Sequence, residues 1–215
     1  VIRIIGDIHQ RYDIYSSFLN VERSICLGDM GFDYTYLLEN VDPIKHKFFG
    51  GNHDNYDKIN IPHNLGDFGI VDNMFFVRGA WSIDREYRYR TQTPDNKLIW
   101  EEEELNDAQG MEALIIYQEF NGDIVLTHEA PLSIVKYVTN PKFAKVFGYE
   151  GVIKTRTNQL LNCFLEKPPK LWLFGHYHIK FVKKIGPTMF CCVNMESYID
   201  LYNDFFTYSG QKFNF

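Results

Sequence analysis

Five of the seven histidines fall in short polar clusters, three of them beside a carboxylate or an amide, and each cluster follows an apolar run. The clusters are Gly6-Asp7-Ile8-His9, Gly51-Asn52-His53-Asp54, His128-Glu129-Ala130-Pro131 and Gly175-His176-Tyr177-His178. A fifth apolar run ends in Gly28-Asp29. Imidazole suits zinc, iron and related ions, while carboxylate and amide oxygens suit Mn²⁺ and Mg²⁺, so this mixture suits borderline divalent cations. An aspartate with a free second oxygen can bridge two ions ~4 Å apart, the spacing of a two-metal hydrolytic site. Two aspartates offset only half the charge of two such ions, which leaves about +2 facing a phosphate.

Those clusters need elements that bring them together. Residues 1–5, 23–27 and 45–49 read as short apolar strands, with helical patterns at 11–20 and 35–40 between them. Strand–helix alternation predicts parallel βαβ units, whose strand ends form the ligand crevice of an open α/β sheet. Further strands are expected at 74–78, 123–127 and 170–174, and helices at 106–120 and 151–166. Residues 179–185, 189–193 and 198–208 alternate apolar and polar positions, as antiparallel strands do. The expectation is a single domain over 1–215, α/β in class, with two packed sheets and helices outside.

Composition narrows the partners. The chain has 215 residues, 45% hydrophobic and 16% aromatic, enough for a substantial core and far from disorder. Its formal charge of −6 argues against general binding to nucleic acid or anionic membrane, which needs clustered cations. No apolar run approaches the ~18 residues of a membrane span. Residues 1–5 read as a strand without a basic or apolar leader before it, so no signal peptide is expected. Cys26, Cys163, Cys191 and Cys192 lack CxxC spacing, and buried free thiols in a reducing cytoplasm are the expectation.

The five strand-end motifs, in this order across residues 6–178, resemble the calcineurin-like metallophosphoesterases. That resemblance implies a four-layer α/β/β/α sandwich of two mixed sheets. It implies that Asp7, His9, Asp29 and His178 hold one metal, and that Asp29 bridges to a second held by Asn52, His128 and His176. His53 would be the general acid at the leaving oxygen, with Asp54 orienting it. The implied cofactors are two divalent ions, Mn²⁺ first, with Fe, Zn, Ni, Co or Mg as the others such a set takes. The implied activity is hydrolysis of a phosphomonoester or phosphodiester by in-line attack of an activated water. The segment from Arg78 to Arg90, with Trp100 and Glu101–Glu104, is similar to small bacterial and phage phosphoesterases. Asp33 lies four residues after Asp29 where many relatives have three, and the arginine of the phosphoprotein phosphatase branch is absent.

A small phosphorylated molecule, such as a nucleotide, is therefore the first-ranked substrate. Nucleic-acid ends and phosphoproteins follow, and an inert binding or scaffold module is the rival from another class. Arg85 could grip phosphate through its planar fork or sit in an ion-paired loop. Tyr177, between two expected ligands, is a candidate substrate contact at the rim. Arg88 and Arg90 could grip phosphate too but read rather as a solvated or ion-paired loop, and Glu101–Glu104 as a solvated charge run near a helix start. His46 and His63 read as ordinary surface or loop histidines, and Trp81 and Trp100 as core by default.

Overall fold

The computed structural model describes residues 1–215. Two six-stranded mixed sheets pack against each other with helices on their outer faces. In the first sheet β1 (Ile2–Ile5), β2 (Ser24–Cys26) and β3 (His46–Phe48) run parallel. The helices α1 (Tyr12–Phe18) and α2 (Thr35–Asn40) connect them. The second sheet is built on β4 (Phe68–Val71), β5 (Met74–Val77), β6 (Ile124–Thr127), β7 (Leu171–Phe174), β8 (Phe181–Ile185) and β9 (Thr188–Cys192). Here β5, β6, β7 and β9 are parallel, and β4 and β8 add antiparallel edges. Three last strands, β10 (Tyr198–Leu201), β11 (Phe205–Tyr208) and β12 (Gln211–Asn214), return antiparallel to the first sheet beside β1.

Side-chain alternation along these strands creates the layers. Met74 and Phe76 point into the core between the sheets, while Phe75 and Val77 point out under the helices. The same split separates Leu171 and Leu173 from Trp172 and Phe174, and Cys191 from Cys192. In the first sheet Ile4 and Ile25 face the other sheet, and Ile5 and Cys26 face α1 and α2. Strands buried on both faces must be apolar throughout, which is why the central runs read as continuous hydrophobic segments. Fully burying one such side chain stabilises by roughly 1.5–3 kcal/mol.

On the outer face of the second sheet lie α4 (Asp107–Glu119), α5 (Leu132–Val138) and α7 (Arg156–Cys163), with α3 (Arg85–Thr91) and α6 (Pro141–Val146) in the loops that flank the strand ends. The expected helix at 151–166 starts later, because Thr155 and Asn158 form a reciprocal cap; it then tightens into a 3₁₀ turn over Phe164–Glu166. β4, α3, α5, α6 and β12 were not expected. α5 and α6 have seven and six residues, too few for a periodic signal. α3 carries charged and aromatic residues without an apolar stripe.

Three smaller expectations need correction. His46 and His63 are buried, held by Ser24 Oγ and the Val41 carbonyl. Cys163 is exposed, while the other three cysteines are buried and all four are free. Glu103 is fully buried rather than part of a solvated run. No helix is long and apolar enough to cross a membrane.

Candidate metal centre

The loops after β1, β2, β3, β6 and β7 meet at one end of the sandwich, and every histidine cluster named above arrives there. Parallel strands of two packed sheets end side by side, so residues far apart in sequence become neighbours. Asp7, His9, Asp29 and His178 each present one donor atom, all within 4.8 Å of one another. His178 Nε2 lies 3.0 Å from Asp7 Oδ2 and 3.1 Å from His9 Nε2, and His9 Nε2 lies 3.7 Å from Asp29 Oδ2.

On the other side of Asp29 stands a second group. His128 Nε2 is 3.3 Å from Asp29 Oδ1 and 3.0 Å from Asn52 Oδ1, and His176 Nδ1 is 2.8 Å from the same amide oxygen. Donors about 2.1 Å from a shared ion stand roughly 3–3.4 Å apart, and the close pairs in both groups, at 2.8–3.3 Å, come near that spacing.

The orientation of each donor is set from behind. His128 Nδ1 lies 2.7 Å from the Leu27 carbonyl, to which it donates, leaving Nε2 to face the site. Asn52 Nδ2 donates to Ser82 Oγ at 3.0 Å, which turns Oδ1 toward the two imidazoles. Asp7 accepts the His176 backbone N–H at 3.0 Å, and Asp29 Oδ1 accepts that of His53 at 2.7 Å. Asp29 Oδ2 is buried without any hydrogen-bond partner. An unpaired buried carboxylate oxygen is costly unless a cation satisfies it.

Backbone strain accompanies this convergence. His9, Asp29, His176 and His178 adopt φ of 48°, 53°, 67° and 51°. That left-handed region costs non-glycine residues of order 1–3 kcal/mol each and is occupied mainly where surroundings enforce it. Two glycines make room: a Cβ on Gly51 would strike Asp29 and His128, and one on Gly175 would strike Asp7.

Electrostatics fits a cation. Burial would raise the Asp29 carboxyl, but the charge and hydrogen bond of His128, with His53 and His9, hold it well below the usual carboxylate range. Against burial, Asp29 and Asp7 push His128 up to about 10, so the pair draws positive charge strongly. Burial and the neighbouring His128 drive His176 down to about 3, which keeps its ring neutral and its lone pair available. The donor set thus fits divalent ions by geometry, by its orphaned oxygen and by charge.

His53 is half-buried beside the site, its ring edge-on to His9 at 5.3 Å. Burial lowers its pKa. Asp54 does not hydrogen-bond the His53 ring as expected. Its two oxygens accept the backbone N–H groups of Asp29, Gly51 and Gly31 and the Tyr34 hydroxyl, at 2.7–3.1 Å, so it ties two ligand loops together. Asp33 is exposed and caps Thr35.

Arg85 lies 3.8 Å from Glu103 and donates to the Tyr89 hydroxyl; it is not among the residues lining the cavity beside Asn52 and His176. Tyr177 does line that cavity, with its hydroxyl 3.0 Å from Glu129 Oε1. Trp81 lines it as well, while Trp100 is buried in the core.

Sequence reasoning missed what fixes Asn52. Arg88, read there as part of a solvated or ion-paired loop, is ion-paired but buried; it donates to the Asn52 carbonyl at 2.8 and 3.0 Å and to Glu103 Oε1 at 2.6 and 3.1 Å. Ser82 donates to Glu103 Oε2 at 2.8 Å and accepts from Asn52. Asn52, Ser82, Glu103 and Arg88 close a buried ring of hydrogen bonds. The only sequence hint was an arginine-rich segment followed by an acidic run.

Neither a protein-family model nor a curated protein matches the chain. Among solved structures it is similar to a hypothetical protein from Thermus thermophilus, at 12% identity and TM-score 0.48 over 94% of this chain and 77% of that one. It is also similar to GAP50, the anchor in the inner membrane complex of Plasmodium, at 12% identity and TM-score 0.49 over 98% and 78% of the two chains. A third is Vps29 from Entamoeba histolytica complexed with Zn²⁺, at 13% identity and TM-score 0.36 over 95% and 88%. What the site can do follows from its own geometry: an α/β protein of two packed sheets with a candidate metal-binding group at its strand ends.

Proposed function

We propose that this chain is a phosphoesterase dependent on two divalent metal ions, acting on small phosphorylated molecules and related to the calcineurin-like metallophosphoesterases. The observation that carries the reading is Asp29: a buried carboxylate between two donor groups, with one oxygen toward each and the second lacking any other partner. Asp7, His9 and His178 would complete one ion's donors, and Asn52, His128 and His176 the other's. The order of the strand-end motifs supports the same reading.

Two bound ions supply Lewis acidity toward phosphoryl oxygens and make a nucleophile from water near neutral pH. The residues contribute position and proton transfer. The network behind Asn52 and the Leu27 carbonyl behind His128 hold donors in place before substrate arrives, so little reorganisation accompanies the reaction. His53 has no intraprotein hydrogen bond on its ring and lines the cavity, so it is placed to give a proton to the departing ester oxygen. The water oxygen joins phosphorus, the ester P–O bond breaks, and the alcohol leaves with that proton.

The test is a Mn²⁺ titration by calorimetry with hydrolysis of mono- and bis-(p-nitrophenyl) phosphate. Two equivalents bound and p-nitrophenol released are expected, and both fall in Asp29→Asn. Unchanged Mn²⁺ affinity and turnover in that variant would refute the reading. Bound metal without turnover of any mononucleotide, cyclic nucleotide, DNA end or phosphopeptide would favour the inert module instead.

A further inference from the structure

The cavity beside Asn52, His53 and His176 continues away from the donor groups toward α5 and α6. Its volume is about 370 Å³, within the roughly 300–1,000 Å³ of small-molecule sites. Val138, Phe143, Ala144, Phe147, Ile153 and Ile179 make much of its wall, and Trp81 closes one side, edge-on to Tyr149 at 5.4 Å.

Charge in this chamber is one-sided. Of its twenty lining residues none is lysine or arginine. Besides the histidines, the ionisable acids in the lining are Asp29, Asp84 and Glu129. Glu129 sits in the wall with one oxygen taken by the Tyr177 hydroxyl at 3.0 Å and the other by Thr155 Oγ1 at 3.0 Å. Beyond the histidines at its mouth, no cationic side chain lines the chamber to pair with a second phosphate or a carboxylate, and desolvating an unpaired anion is expensive.

We propose that the chamber receives the alcohol part of the ester and selects an uncharged, largely apolar group, aryl or short alkyl, over the anionic remainder of a nucleoside polyphosphate, an oligonucleotide or an acidic peptide. The proposal rests on the phosphoesterase reading, since the donor groups hold the phosphate from which that part projects. It narrows the substrate class to monoanchored esters with a hydrophobic body.

Phosphonates test it without turnover. The full chain loaded with Mn²⁺ is titrated with methylphosphonate, benzylphosphonate and 4-carboxybenzylphosphonate, with phenyl phosphate hydrolysis followed in parallel. Benzylphosphonate is expected to bind about tenfold tighter than methylphosphonate through apolar burial, and the added carboxylate to erase the gain. Ala144→Phe, which fills the chamber, brings the benzyl-to-methyl ratio toward one. Phe147→Ala, at a partly exposed wall position that folding should tolerate, lowers it too. Equal binding of all three ligands in the wild type, or tightest binding of the carboxylated one, overturns the inference even if hydrolysis is robust. A preserved benzyl preference with no hydrolysis supports the chamber while removing the phosphoesterase reading.

Discussion

The two sides of Asp29 are built differently. Asn52 and His128 are almost wholly buried, and each is held by a partner behind it. His9 and His178 lie at the rim, with side chains 26% and 42% exposed, and their ring contacts run mainly to each other and to the two aspartates. A buried donor with a fixed partner is preorganised, whereas a rim imidazole keeps water as an alternative neighbour. The Asn52 side is thus expected to set rigidity and the His178 side to set the ease of ion exchange. Burial separates Asn52 and His128 from His9 and His178, although Asp7 is fully buried on the His178 side and His176 only half-buried on the other.

The largest effect is expected where the halves meet. Asp29→Asn should cut kcat more than ~100-fold, beyond the upper end seen for an outer-shell partner, and should weaken both metal equivalents in a Mn²⁺ titration. If only one equivalent weakens, Asp29 belongs to one side alone.

On the buried side, Arg88→Met strips Glu103 of its close charge partner, leaving only Ser82 and Arg85 at 3.8 Å, and should cost about 3–5 kcal/mol of stability in urea unfolding. Glu103→Gln keeps the shape and loosens the ring around Asn52. It should weaken one metal equivalent about 10–100-fold while the other is retained. Equal weakening of both would mean that the network acts through general stability. Asp54→Asn turns one of its two acceptor oxygens into a donor that faces at least one backbone N–H group and should cost about 1–3 kcal/mol, read in the same unfolding assay.

At the rim, His178→Ala should weaken one equivalent by only about tenfold, because water can take its place, with no change in melting temperature. A collapse of stability there would erase the contrast between the halves. Smallest of all, Arg90→Ala should change neither melting temperature nor turnover, since its side chain is 81% exposed and pairs only with the equally free Glu86.

Much of this centre was legible before folding was considered. Short apolar runs that end in glycine and a polar cluster mark strand ends, and parallel strands gather their ends, so Asp7, His9, Asp29, Asn52, His128, His176 and His178 could be named together. Arg88 could not be read correctly. Its partners lie 15 and 36 positions away, at Glu103 and Asn52, and nothing in a charged local segment reveals which arginine turns inward. Asp54 misled for a related reason. It neighbours His53 in sequence, but its oxygens are spent on loop backbone that only tertiary packing brings near. The chamber was illegible as well, since its walls come from two short helices and the loops beside them.

The residue types and their positions after apolar strands determined, by themselves, that oxygen and nitrogen donors would meet at one end of an α/β sandwich, because strand periodicity and chain direction are local properties. Tertiary structure alone decided which donors are locked and which are loose, which arginine holds Asn52, and that an apolar chamber without a cation adjoins the site. Those outcomes depend on burial, and burial is settled only when distant segments exclude water from the same place.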